Sequence, residues 1–239
     1  MYNETKDGAV GVNKALSHRA VPAVTTEETL VQVTKRGVNV NATASDLQNL
    51  RQQFQAQKWL RLPGFFDAEL MELLQRKIEE SEFLVVDRPI GLELRPIDST
   101  AYLSAELLLN TPKLFRLMEA ITGCDPIACF AGRIYRRPPS KDYFNQWHTD
   151  INSEGRMIAL SVNLSTDNFS GGATEIRLSG SRQVIAKIKN PIPGDAIIFL
   201  IDESLHHRVG HVESGSAKTA LAGWFKSKPD PQSLFGRGV

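Results

Sequence analysis

Two textures divide the chain at about Gly123. Before it, apolar positions recur at helical spacing. Ser45-Asp46-Leu47-Gln48 has the form of a capping box and leads into a helix carrying Leu47, Leu50 and Phe54. Trp59-Leu60-Arg61-Leu62 reads as a strand stopped by Pro63-Gly64. Asp67 is a suitable N-cap for a helix whose Leu70, Leu73, Leu74 and Ile78 form one stripe. Thr111-Pro112 opens another, with Leu114, Leu117, Met118 and Ile121 running to a Gly123 stop. Leu30–Val40 alternates weakly, as a short strand would, and Asp87-Arg88 and Glu93-x-Arg95 lie in a polar segment.

After Gly123 the apolar residues fall in short runs: 127–135, 157–164, 174–178, 184–188, 196–201, 207–212 and 217–225. Turn residues such as Ser170-Gly171-Gly172 and Pro193-Gly194-Asp195 separate them. Strands at this spacing predict a mainly β fold, a sandwich or barrel, with the helices packed on one outer face. Ala196–Ile201 is apolar at every position, which predicts a strand buried on both faces.

Length and composition narrow the reading. Residues 1–28 are polar, rich in Thr and Gly, and lack periodicity, so they read as a flexible arm before a single domain spanning 29–239. With 28 basic and 27 acidic residues the net charge is +1, which argues against nucleic-acid or membrane-surface partners. No apolar run reaches the roughly 20 residues needed to span a bilayer. The start, MYNETKDGAVGVNK, lacks the pattern of a secretory signal, so a cytoplasmic location is expected. Cys124 and Cys129 are too few for a cysteine-based zinc site and read as small buried thiols.

The candidate chemistry lies in His148-Thr149-Asp150 and in the His206, His207 and His211 group some sixty residues later. On a strand, His148 and Asp150 point to one side. A second imidazole from a neighbouring strand then gives two histidines and one carboxylate on one face of a metal. That is the ligand set of non-haem iron(II) oxygenases, with the opposite face open. His207 and His211 share parity on a straight strand, so spacing alone does not choose between them. Lys218 has no acidic residue nearby on its strand. If buried it needs an anion, and a dicarboxylic co-substrate would supply one. Trp147 could wall the pocket or join the core. Arg133, Arg136, Arg137, Arg88 and Arg95 could hold a substrate carboxylate or phosphate, although solvated surface arginines are the simpler account.

These pieces in order resemble the iron(II)/2-oxoglutarate-dependent dioxygenases, and within them the prolyl-4-hydroxylase-like branch. The resemblance rests on His148-Thr149-Asp150, Ser170-Gly171-Gly172-Ala173-Thr174-Glu175-Ile176, Pro193-Gly194-Asp195, His207-Arg208-Val209, Glu213-Ser214-Gly215 and Lys218 through Trp224-Phe225. It covers residues 127–226, the expected catalytic core. It implies a double-stranded β-helix, a jelly-roll, cupin-like barrel, with the site in its mouth. It also implies that His148, Asp150 and His207 bind Fe(II) and that Lys218 meets the C5 carboxylate of 2-oxoglutarate. Tyr135 and Asn163 would lie beside that co-substrate. O2 would be the second co-substrate, and ascorbate can accompany the family's reaction. Lys218 lies one residue further from the distal histidine than is usual, which implies a bulge in the Ser214–Ala217 turn. Related halogenases have a small residue at the position of Asp150, so its carboxylate implies hydroxylation, with 2-oxoglutarate decarboxylated to succinate. The expected substrate is a small molecule, an amino acid or natural-product intermediate. The alternatives are a peptidyl or prolyl hydroxylase and a non-catalytic metal-binding sensing module.

Overall fold

The computed structural model describes residues 29–151 and 154–229. The arm expected at 1–28 lies outside them. Four helices lie against a seven-stranded antiparallel sheet, and a smaller sheet covers that sheet's other face. The large sheet runs β3 (Trp59–Leu62), β11 (Ala196–Leu200), β7 (Arg156–Asn163), β14 (Lys218–Lys226), β6 (Cys129–Arg137), β5 (Gly91–Pro96) and β4 (Phe83–Arg88). The small one runs β10 (Val184–Ile188), β9 (Thr174–Leu178) and β12 (Leu205–Val209). A pair formed by β13 (Val212–Gly215) and β8 (Phe169–Gly171) lies beyond, and β1 (Val31–Thr34) with β2 (Gly37–Val40) makes a separate hairpin.

Alternation along the large sheet sorts its side chains into two cores. Ile158, Leu160, Val162, Ala196, Ile198, Leu221 and Phe225 join the helices in the larger cluster. Ala159, Ile197 and Phe199 turn the other way, to Ile176, Ile188 and Leu205 of the small sheet. β11 is paired on both edges and buried on both faces, which accounts for its unbroken apolar sequence. The result is a jelly-roll fold. Among the described residues its ladders form facing sheets and do not close into one continuous barrel. The small-sheet strands are short, and irregular backbone at 138–151 and 210–211 interrupts the pairing that would close it.

The helices are α1 (Ala44–Gln57), α2 (Ala68–Glu79), α3 (Thr100–Leu109) and α4 (Pro112–Thr122). Asp67 and Thr111 cap α2 and α4, and Gly123 ends α4 in the left-handed conformation. The box at α1 is formed by Thr43 and Asp46, two residues earlier than Ser45 would place it. Helix α3, which the sequence pattern does not announce, is apolar nearly all round, with Leu103 and Leu107 exposed, and so shows no stripe. The polar segment before it is the β4–β5 hairpin, and Leu30–Val40 is the β1–β2 hairpin rather than one strand. The run read as 207–212 ends at Val209, and β13 begins only at Val212. The predicted bulge falls at Val212/Ser214 instead of in the following turn.

Candidate metal centre

His207 sits on β12 and is 8% exposed, directly opposite His148 in an isolated antiparallel bridge. Two backbone hydrogen bonds of 3.1 and 2.9 Å close that bridge and hold the ring centroids 4.3 Å apart. Asp150 lies beyond His148 in irregular backbone, so turn geometry rather than strand alternation brings it in. Its Oδ2 is 3.2 Å from Nε2 of His207, and its Oδ1 is 3.7 Å from Nε2 of His148. One ligand atom from each of the three lies within 4.8 Å of the others, a donor set that fits an iron(II) ion. His211 is exposed in the gap between β12 and β13, outside this group.

The protonation states suit a metal. Nδ1 of His148 lies 2.7 Å from the Gln146 carbonyl, which can only accept, so Nδ1 carries the proton and Nε2 presents its lone pair. Burial, reinforced by His207, holds the His148 imidazole below its usual range and therefore neutral. Burial alone would raise the Asp150 carboxyl. Hydrogen bonds from His207 and Trp224, with both imidazoles close by, outweigh it and keep Asp150 well below the carboxylate range. Phe199 packs 4.7 Å from the His207 ring, and Arg156 stacks 3.8 Å from the Trp224 ring with Nη1 3.6 Å from Asp150.

Beside the triad opens a cavity of about 930 Å³ lined by residues of β6, β7, β14, β12 and the β4–β5 turn. Tyr135 lines it, while Lys218 and Asn163 are sealed beyond it. Lys218 donates 2.6 Å to the Gly172 carbonyl, and among the described residues no carboxylate pairs with it. Arg137 stands opposite Lys218 in register, and Ala220 stands opposite both Tyr135 and Asn163. These side chains therefore share one face. Nε of Arg137, Nδ2 of Asn163 and Nδ2 of Asn145 are buried donors without acceptors. Arg137 itself is 1% exposed, not the surface residue expected, and burial depresses its pKa. A group of donors lacking acceptors fits the oxygens of a carboxylate-bearing co-substrate.

Trp147 neither walls the cavity nor joins a core cluster. The guanidiniums of Arg177 and Arg208 lie over its ring, 4.4 and 4.7 Å from the centroid. Sequence reasoning missed the role of Trp224. Its signal was parity with Lys218 along β14, which places it on the inner face. Arg88, Arg95 and Arg133, read as solvated, line the cavity. Arg136 stacks 4.1 Å over Phe83.

Residues 133–226 match the family model described as the 2OG-Fe(II) oxygenase superfamily. Among curated proteins none matches the chain in sequence. A prolyl-4-hydroxylase from Pseudomonas putida superposes with a TM-score of 0.57 at 17% identity, covering 77% of this chain and all of its own. A prolyl hydroxylase of Trichoplax adhaerens, solved with a peptide of hypoxia inducible factor, gives 0.56 at 14% identity, with 83% and 99% covered. The α-ketoglutarate-dependent epimerase SnoN of nogalamycin biosynthesis gives 0.57 at 14% identity, with 82% and 92% covered. Among the described residues no helix is long and apolar enough to cross a membrane.

Proposed function

We propose that this chain, whose residues 133–226 match the 2OG-Fe(II) oxygenase superfamily, is an oxygenase of that kind, that its prime substrate is a small molecule and that its oxidation is a hydroxylation. The observation that carries this reading is the His148, Asp150 and His207 cluster facing a cavity of about 930 Å³. That volume falls among small-molecule pockets of about 300–1,000 Å³. Iron(II), 2-oxoglutarate and O2 are the family's requirements. The redox chemistry is the metal's: a substrate C–H becomes C–OH as O2 and 2-oxoglutarate yield succinate and carbon dioxide.

The chain's own residues place and shield that chemistry. His148 offers a neutral imidazole and His207 a second imidazole from the facing strand, and Asp150 offers the charged ligand, with one oxygen oriented by Trp224. Lys218 and Arg137 supply the cationic end for the C5 carboxylate of 2-oxoglutarate, with Tyr135 and Asn163 beside them. Phe199, Val209 and Ala222 give the cavity apolar wall that limits water at the reacting carbon.

Anaerobic addition of iron(II) and 2-oxoglutarate tests the co-substrate assignment through the visible charge-transfer band of the chelate. A succinate-release screen of small molecules against proline-bearing peptides then tests the substrate class. Release driven only by peptides would establish the second reading, a peptidyl hydroxylase, which gains support from the likeness to two prolyl hydroxylases. The non-catalytic sensing module loses its ground to the family match.

A further inference from the structure

One wall of the cavity carries more positive charge than the metal chemistry uses. Arg88, Arg95 and Arg133 all line it and all converge on a single carboxylate, Glu93, which is 1% exposed. Arg133 grips Glu93 through Nε and Nη2 at 2.9 and 3.1 Å, and Nε of Arg95 lies 2.6 Å away. Arg88 is held least, with Nε 3.8 Å from the carboxylate, a side chain 40% exposed and a buried Nε lacking any hydrogen-bond partner. One arginine would suffice to tie the β4–β5 hairpin to β6 through Glu93. The other two add uncompensated charge in a half-dry setting, an unfavourable arrangement until an anion arrives. The remaining carboxylates lining the cavity are committed elsewhere. Asp150 belongs to the triad, and Glu154 pairs with Lys226 at 3.0 Å and Arg156 at 3.4 Å.

The cluster is close to the metal centre without being part of it. The Arg133 guanidinium lies 5.7 Å from the Trp224 ring, whose Nε1 is bonded to Asp150. The co-substrate has a separate cationic end, because Tyr135 stands between Arg133 and Arg137 along β6. Planar guanidiniums suit bidentate recognition of carboxylate or phosphate.

We propose that the prime substrate carries a carboxylate or phosphate that docks on Arg88 and Arg95 beside Arg133, which turns its C–H toward the triad. This inference rests on the oxygenase reading above.

The test uses the full chain loaded anaerobically with Mn(II) and 2-oxoglutarate, so that no turnover occurs. Calorimetric titration compares 3-phenylpropionate and phenyl phosphate with their neutral counterparts 3-phenylpropanamide and phenol. At least one anion should bind about tenfold or more tightly than its counterpart, and the better anion identifies the source of the charge. Arg88→Gln should remove most of that preference, and Arg88→Glu should abolish it. Arg88 is the member least tied to Glu93, so both variants should stay folded, which their melting curves check. Equal affinity for neutral and charged probes, no binding of either anion, or a preference unchanged in both variants would overturn the proposal. So would anion binding that 2-oxoglutarate itself displaces, since the cluster would then seat the co-substrate. A missing iron(II)–2-oxoglutarate chelate band, with anion preference intact, would sink the oxygenase reading alone. An intact band without anion preference would sink this inference alone.

Discussion

The indole Nε1 of Trp224 donates a 2.7 Å hydrogen bond to Oδ2 of Asp150. The two residues are 74 positions apart, and the bond crosses from β14 to the irregular segment after His148. It occupies one carboxylate oxygen and leaves Oδ1 to face His148 and Arg156. Partners of this kind typically contribute about 10–100-fold to metal affinity. Trp224→Phe keeps the ring and removes the donor, so it should weaken Mn(II) or Fe(II) binding by about that range without lowering thermal stability comparably. An unchanged metal dissociation constant would show that Trp224 only packs.

His207→Ala and His148→Ala should each lose metal at stoichiometric loading, since each removes one of three donors within 4.8 Å. His211→Ala should retain it, because His211 is exposed beyond the end of β12. Metal analysis after gel filtration checks this. Loss in His211→Ala with retention in His207→Ala would reverse the assignment.

Lys218 is buried, and burial depresses its pKa. Its one hydrogen bond among the described residues is to a neutral carbonyl. Losing a charge partner for a buried carboxylate costs about 3–5 kcal/mol, a hundredfold or more in affinity. Lys218→Ala should therefore raise the apparent KM for 2-oxoglutarate at least tens of times (~2 kcal/mol or more, if Arg137 compensates in part) while metal binding holds. Lys218→Arg should recover part of the loss. Near-normal KM in both variants would remove Lys218 from the co-substrate site.

Gly91 has φ +135, and a Cβ there would come 1.8 Å from the Phe144 carbonyl oxygen. Next to it, Ile90 accepts a 2.7 Å hydrogen bond from Gln146 N, and the Gln146 carbonyl in turn holds His148. Gly91→Ala should push the hairpin off this loop, costing upward of about 2 kcal/mol and lowering metal affinity as well. Gly37→Ala is the control, since Gly37 has φ +125 but open space around it. Equal urea midpoints for the two variants would show that backbone strain, not the collision, sets the cost.

Glu93 gives a pH dependence of definite sign. Burial raises its carboxyl, but Arg133 and Arg95 outweigh it and hold the folded-state pKa below the usual 4.5. The folded protein then binds fewer protons than the unfolded chain. The resulting stability is fully present above about pH 4.5 and is lost as pH falls through the depressed value. Glu93→Gln should be less stable at pH 7 and show a shallower acid decline. Denaturant midpoints between pH 7 and pH 3 that fall in parallel for both proteins would contradict this.

Legibility from sequence followed the range of the interactions. Where a residue's environment comes from its immediate neighbours, the pattern was enough: the capped amphipathic helices α2 and α4 and the doubly buried β11. Residues 127–226 likewise carried the order of pieces that marks the family. The choice of His207 over His211 was open on spacing alone, because parity assumes a straight strand and this one breaks at Gly210. Tertiary structure decided the rest. An arginine reads as solvated until a buried partner is known. Glu93, which gathers Arg95 of its own strand with Arg88 and Arg133, lies on a different strand from the last two and 40 residues from Arg133. Nothing in the sequence singles out Trp224 until Asp150 is brought to its indole. Both relations depend on which strands become neighbours. Strand order is set by packing the whole chain, and the local sequence does not encode it.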